Sequence, residues 1–528
     1  MDWSLPYPTR RQPLLARNAV ATSQPLAAQA GLRMLLQGGN AVDAAIATAI
    51  ALTVVEPIMN GIGGDLYALV WDGHTLHGLD GTGAAPQAWT PQRFAGRSEM
   101  PRTGWDSVTV PGQVSGWHAL SRRFGRLPFA TLFEPAIAYA RDGFPLSPVI
   151  AHAWPQFAAL VADQPGFREA FLSDGRAPQA GQTWRFADQA RTLQDIADSG
   201  GESFYRGDLA KRLVAHAAQH GGALTAEDLA QHEARWVEPI TLRYRDHVLY
   251  EIPPNGQGIA AQMALSMLSH FDLRASGLDS AATLHLQIEA MKLAFADLNA
   301  HVADPRAMRV TADELLDPHY LAQRARCIDP QRASTPAPGQ PRAGGTVYLA
   351  AADANGMMVS LIQSNYYAFG SGIVVPGTGI ALHNRGWNFS LRSGHPNEVA
   401  PGKKPLHTII PGFVSDAAGA PCMAFGVMGG FMQATGHMQM LCRLADFSQN
   451  PQAMIDAPRF MVSPLDGTVK LEATLPDAAA EGLRARGHAI ERLPYGHFDF
   501  GAAQIVLNGG DHHVAASDGR RDGQAVGF

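Results

Sequence analysis

Two glycines and a threonine, Gly344-Gly345-Thr346, mark the point where this chain changes character. A Pro-containing tract, residues 335–341, leads into them, and a strand-like run, residues 346–352, opens directly behind. The threonine thus stands at the first position of a strand, after a flexible approach. If the Gly345–Thr346 bond breaks, Thr346 gains a free α-amino group beside its own hydroxyl, so that one residue carries both nucleophile and base. Taken alone, such a triplet is most often a turn entering a strand. The weight falls on the rest of the chain.

Upstream, residues 23–37 have helical spacing, with Leu26, Ala30, Leu32, Leu35 and Leu36 apolar, and Gly38-Gly39 ends the run. Asn40 can cap a second helix reaching about Val55, with Asp43 favouring its positive end. The small apolar side chains of that helix suit burial between layers. Residues 66–71 and 74–79 read as a hairpin around Asp72-Gly73. Residues 121–299 read mainly as helices, for example 129–143, 193–217 and 281–299, with a strand pair around 240–252. Behind Thr346 the period turns to β: 347–352 and 358–362 flank the turn Asp353–Gly356, and further strands are expected at 373–375, 380–382, 409–414 and 422–427. A helix is expected from about Thr435, then strands again. Helices, sheet, helices and sheet predict an α+β fold of two largely antiparallel sheets between helical layers.

With 528 residues the length alone allows two to four domains. A net charge of −6 without a basic run argues against nucleic acid and anionic membrane as partners. Cys327, Cys422 and Cys442 show neither metal spacing nor an even-numbered framework, which fits reduced thiols in a cytoplasmic protein. Residues 1–24 lack the apolar segment of a secretory signal, and the most apolar run, 44–55, is too short to cross a bilayer. No His-Glu-x-x-His and no Gly-x-Ser-x-Gly occurs, so neither a zinc hydrolase nor a serine-hydrolase elbow is indicated. No metal or organic cofactor is called for.

An amide hydrolase built on Thr346 needs donors for an oxyanion. Gly429-Gly430, between an expected strand and helix, can present bare backbone N–H groups; an ordinary strand-to-helix turn is the alternative. Ser364, across the Asp353–Gly356 turn, could hydrogen-bond the nucleophile. Arg385, in the loop 384–388, could grip a carboxylate with its planar fork.

Together these residues resemble the γ-glutamyltransferase superfamily of N-terminal-nucleophile hydrolases. The likeness runs from about Asn18 to Phe460 and rests on many motifs in one order: Gly38-Gly39-Asn40-Ala41-Val42-Asp43-Ala44-Ala45, Gly61-Ile62-Gly63-Gly64-Asp65, Val110-Pro111-Gly112, Pro253-Pro254, Asp304-Pro305, Phe369-Gly370-Ser371-Gly372-Ile373-Val374 and Gly429-Gly430. The resemblance implies a four-layer αββα sandwich, self-cleavage between Gly345 and Thr346, and a heterodimer of residues 1–345 and 346–528, two of which could pair. It places the nucleophile at Thr346, the oxyanion-hole glycines at Gly429 and Gly430, and the supporting hydroxyl at Ser364.

The chain departs from the γ-glutamyl pattern where that group's α-carboxylate and α-ammonium would bind. Thr82 stands where the resemblance leads one to expect an arginine, Asn388 where an aspartate is expected, His407 and Thr408 replace paired serines, and Arg385 replaces a glutamine. A buried ammonium without an anion costs several kcal/mol. The expectation is therefore a small amide with a carboxylate near the scissile bond and no α-ammonium. The segments Ser364-Asn365-Tyr366-Tyr367 and 426–431 look like the branch containing oxamate amidohydrolase, which releases ammonia and oxalate in purine breakdown. A γ-glutamyltransferase, an acylase on a glutaryl-type amide, and a non-catalytic binding protein are the alternatives.

Overall fold

The computed structural model describes residues 10–334, 346–464 and 466–528. Gly344, Gly345 and the Pro-containing tract before them lie outside the described residues.

Two antiparallel sheets of seven strands face each other. In spatial order the first holds Leu14–Ala16, His513–Ser517, Ala503–Asn508, Pro421–Val427, Gly412–Asp416, His247–Glu251 and Ile240–Tyr244. The second holds Gln524–Gly527, Ala19–Thr22, Val347–Ala352, Met358–Ser364, Asp65–Trp71, Leu76–Gly81 and Arg235–Val237. Each sheet therefore takes strands from both sides of residue 346. The sheets meet through a small residue opposite a large one. A side chain on Gly426 would strike the Tyr348 ring, while Tyr348 Oη and Ser360 Oγ share a hydrogen bond of 2.8 Å and Ser360 Oγ donates to the Phe425 carbonyl.

Helices Pro25–Leu36 and Ala41–Val55 cover the outer face of the second sheet. They pack closely because Gly31 sits against Thr48 and the Ala44 carbonyl. The cap expected of Asn40 is present: Asn40 Oδ1 accepts the Val42 and Asp43 N–H groups and Asp43 Oδ2 accepts the Asn40 N–H. All fifteen residues of Ala41–Val55 are buried, so the helix lies between sheet and outer helices with no solvent face. Helices Gly258–Leu268, Ala281–His301 and Met432–Ala445 form the layer on the other side, where Gly436 lets helix Met432–Ala445 approach Val427. Each sheet and its helices enclose a hydrophobic core. The result is an αββα sandwich, as expected.

Some boundaries moved. The helical region 193–217 is broken at Gly200 and Gly201, which take φ of +61° and +89° between Ala187–Ser199 and Glu202–Tyr205. Residues 129–143 form a 3₁₀ segment Phe129–Phe133 and a helix Glu134–Asp142. Val374–Val375 and Ile380–Ala381 pair only with each other, outside both sheets. Among the described residues no helix is long and apolar enough to cross a membrane.

Candidate active site

Strand register brings the key residues into one row. Ser364 stands opposite Asp65. Thr346 lies one step beyond the Val347–Gln363 pair, at the level of Ser364, and Thr82 one step beyond the Leu66–Gly81 pair, at the level of Asp65. Residues opposite one another in an antiparallel ladder project to the same face, and Tyr348, two residues on from Thr346, points to the other sheet. Thr346, Ser364, Asp65 and Thr82 thus share the inner face at one end of the sandwich.

The first sheet supplies the opposite wall. Strand Pro421–Val427 ends, Gly429 and Gly430 turn the chain with φ of +117° and +63°, and helix Met432–Ala445 begins. A side chain on Gly429 would press on Gly501 and Met432. Among the described residues neither the Gly429 nor the Gly430 N–H is taken by a carbonyl. In the first turn of the helix, Gln433 Nε2 donates to Thr346 Oγ1 at 3.0 Å, and Gln433 Oε1 accepts the Ile410 N–H. Thr346 is buried, and its oxygen accepts a bond that strengthens as negative charge grows on it.

Ser364 and Arg385 form the second part. Arg385 is fully buried; Nη2 donates to Ser364 Oγ at 3.0 Å, Nη1 to Thr408 Oγ1 at 2.9 Å, and the guanidinium lies 4.4 Å over the Tyr366 ring. Burial pulls its pKa down to about 10, which leaves it charged at neutral pH. Ser364 Oγ also accepts the Tyr366 N–H, with Tyr366 held at φ +77°. Tyr366 Oη donates to Asn388 Oδ1 at 2.6 Å, and Asn388 Nδ2 donates to the Leu406 carbonyl.

Asp65 is the hub of this network. Its carboxylate accepts the Gly83 and Gly112 N–H groups, takes His407 Nε2 at 3.1 Å, and lies 3.9 Å from Arg385 Nε. Burial pushes Asp65 up to about 7 against the pull of Arg385 and Lys404. Burial also holds His407 well below the usual imidazole range. With Nδ1 facing the Ile409 N–H, the neutral ring donates from Nε2 to Asp65. The side chains expected to meet a substrate anion, Arg385 and His407, are thus engaged with Ser364, Thr408 and Asp65. Thr82 donates to Asp80, which pairs with Lys404, and it lines a separate cavity of about 530 Å³.

The cavity that reaches Thr346 measures about 90 Å³. Gly429, Gly501, Tyr367, Phe498, Glu56 and Arg521 line it with the threonine. Sequence reasoning assigned no role to Gln433, Glu56 or Arg521, and met Asp65 only as the end of a glycine-rich motif. His285, Glu289 and His488 cluster away from the site, but the Lys292 ammonium sits among them, donating to Glu289 at 2.9 Å and facing His488 at 3.3 Å. That cluster already holds its cation.

Comparison with known proteins finds relatives along nearly the whole chain. A solved cephalosporin acylase from Bacillus halodurans superposes with a TM-score of 0.95 at 47% identity, covering 100% of this chain and 99% of that one. The oxamate amidohydrolase proenzyme of Klebsiella pneumoniae is 38% identical over 520 residues, 95% of this chain and 97% of the relative. The glutathione hydrolase-like YwrD proenzyme of Bacillus subtilis is 34% identical over 520 residues, 97% and 98% of the two chains. Fold and relatives define an N-terminal-nucleophile hydrolase of the class that acts on amide bonds. The sequence profile of the gamma-glutamyltranspeptidase family matches residues 27–528, and the chain belongs to that family.

Proposed function

We propose that this chain is a self-processing amidohydrolase that cuts itself before Thr346 and then hydrolyses a small carboxylate-bearing amide, oxamate first among the candidates. The observation that carries the reading is the placement of Thr346: at the head of a central strand, its Oγ1 held by Gln433, across from a glycine pair whose N–H groups no carbonyl takes among the described residues. In the precursor, Thr346 Oγ attacks the Gly345 carbonyl, the C–N bond to Thr346 breaks, and water hydrolyses the resulting ester. Residues 1–345 then end in a carboxylate and Thr346 in an amine.

In the mature enzyme that amine takes the hydroxyl proton as Oγ attacks the substrate carbonyl. Gly429 and Gly430 N–H groups hold the oxyanion; one such donor is worth about 100- to 1000-fold in rate. The C–N bond breaks, ammonia leaves with the proton, and water releases the acid from the acyl-enzyme. Ser364, fixed by Arg385 and the Tyr366 N–H, steadies the nucleophile's side of the row, while Thr408, Asn388, His407 and Tyr366 hold Arg385 and Asp65 in place. Thr82 takes the arginine's position without its charge. The two pieces form a heterodimer.

A relative named oxamate amidohydrolase at 38% identity and the small cavity at Thr346 favour oxamate. The cephalosporin acylase at 47% identity favours a second reading, an acylase on a larger glutaryl-type amide. The test has two parts. Wild-type protein should run as two fragments and Thr346→Ala as one inactive chain; an active, uncut wild type sinks the scheme. A panel of oxamate, glutaryl amides and glutathione then chooses the substrate, and efficient glutathione turnover would defeat the charge argument at Thr82 and Asn388.

A further inference from the structure

We propose that Arg521 is the carboxylate anchor of the Thr346 cavity, gripping the acid group of the substrate with its planar fork. This rests on the reading above and names the residue that supplies its charge recognition. Arg521 lies near the C-terminus, far in sequence from every residue of the row, yet it lines the same cavity as Thr346 and Gly429.

The contrast with its neighbour is decisive. Arg520 is paired on both edges, Nη1 to Asp518 at 3.2 Å and Nη2 to Glu472 at 2.6 Å. Arg521 is equally enclosed, 7% exposed, but among the described residues it makes no ion pair. Its Nη1 donates to the carbonyls of Gly496 and Arg520 at 3.0 and 2.7 Å, and its guanidinium lies 4.0 Å over the Phe498 ring. Those contacts fix the plane of the group. They leave Nε and Nη2, the edge that matches a carboxylate bidentately, without a partner among the described residues. Donors left open on a guanidinium that lines a cavity are placed to receive an anion entering it.

The two acids on the same wall do not complete it. Asp499 is held by Lys470 at 2.6 Å. Glu56 accepts the Ser23 hydroxyl at 2.5 Å and forms no ion pair with Arg521. Burial also raises Glu56 to about 7, so below neutrality it is largely uncharged. Arg385, by contrast, has Nη1 and Nη2 committed to Thr408 and Ser364. Arg521 is the cation on this cavity with capacity to spare.

The probe is oxalate, the acid product expected from oxamate, bound to the purified full chain and followed by titration calorimetry. Mass spectrometry of the same samples reports the cut before Thr346. Wild type should bind oxalate, R521Q should be cut normally and bind about 30-fold or more weakly, and R521K, which keeps charge but not the fork, should fall between. Unchanged affinity in R521Q overturns the proposal. So does a wild type that binds none of oxalate, malonate and glutarate. Should R521Q fail to fold, R521K with wild-type affinity is enough to overturn the fork. An uncut wild type that still binds oxalate through Arg521 would sink the functional reading and leave this assignment standing.

Discussion

Gln433 donates its amide N–H to Thr346 Oγ1 and accepts the Ile410 N–H with its carbonyl, both at 3.0 Å. One side chain thus fixes the orientation of its own amide and of the hydroxyl it serves. Replacing it with leucine removes a hydrogen bond that gains strength as the oxygen becomes negative. Such bonds are worth about 1.5–3 kcal/mol, so Gln433→Leu should lower kcat about 10- to 100-fold, leave KM nearly unchanged and slow the cut before Thr346. Steady-state kinetics with time-resolved gels check this; unchanged kcat would remove Gln433 from the chemistry.

Asp65 is the anion nearest the buried Arg385. Asp65→Leu leaves that guanidinium without a countercharge and His407 without its acceptor, at a cost of about 3–5 kcal/mol. Urea unfolding measures it. The pH dependence carries a sign. Burial raises Asp65 to about 7 in the folded chain, against about 4 when unfolded. Its contribution is full below about 4 and is lost as pH rises through about 7. The stability difference between wild type and Asp65→Asn should shrink over that window, and a difference flat in pH would contradict the assignment.

Asp518 acts in the opposite sense. Burial pushes its carboxyl up, but Arg459, Arg520 and the N–H groups of Arg520 and Ala503 outweigh that and hold it at about 2. Its contribution is present above about 4 and is lost as pH falls toward 2. Asp518→Asn should destabilise the chain by about 3–5 kcal/mol near neutrality and by progressively less in acid. Denaturant melts at several pH values read both effects.

Glu56 should make binding of a carboxylate substrate depend on pH. It faces Ser23, Arg521 and Asp522, and its proton leaves near pH 7. Above that, a second anion competes for Arg521. KM for a carboxylate-bearing amide should therefore rise as pH passes from about 6 to 8, and Glu56→Gln should abolish the rise. A pH profile of KM that is the same in both proteins refutes it.

What could be read from the chain alone was whatever local chemistry marks. Thr346 follows two glycines, Gly429-Gly430 sits between a strand and a helix, and Asn40 and Asp43 spell a cap. Their roles need few distant partners. Asp65, Gln433 and Arg521 carry no such mark. Asp65 matters because register sets it opposite Ser364, and Gln433 because helix Met432–Ala445 starts three residues earlier than expected and turns that side chain toward Thr346. Arg521 stands out because it lines the Thr346 cavity and has no ion-pair partner among the described residues. Arg385 shows the complementary case. A cation in a suspected site suggests ligand binding, but only packing reveals that both its terminal nitrogens already donate to Thr408 and Ser364.

The strand Val347–Ala352 is flanked by Ala19–Thr22 and Met358–Ser364, and Ala19–Thr22 is flanked in turn by Gln524–Gly527. Segments from the two halves of the polypeptide are interleaved like the fingers of clasped hands. Severing the backbone at residue 346 would free a terminus without freeing a fragment. Dilution would not part the pieces, and neither would be expected to regain its shape if made alone.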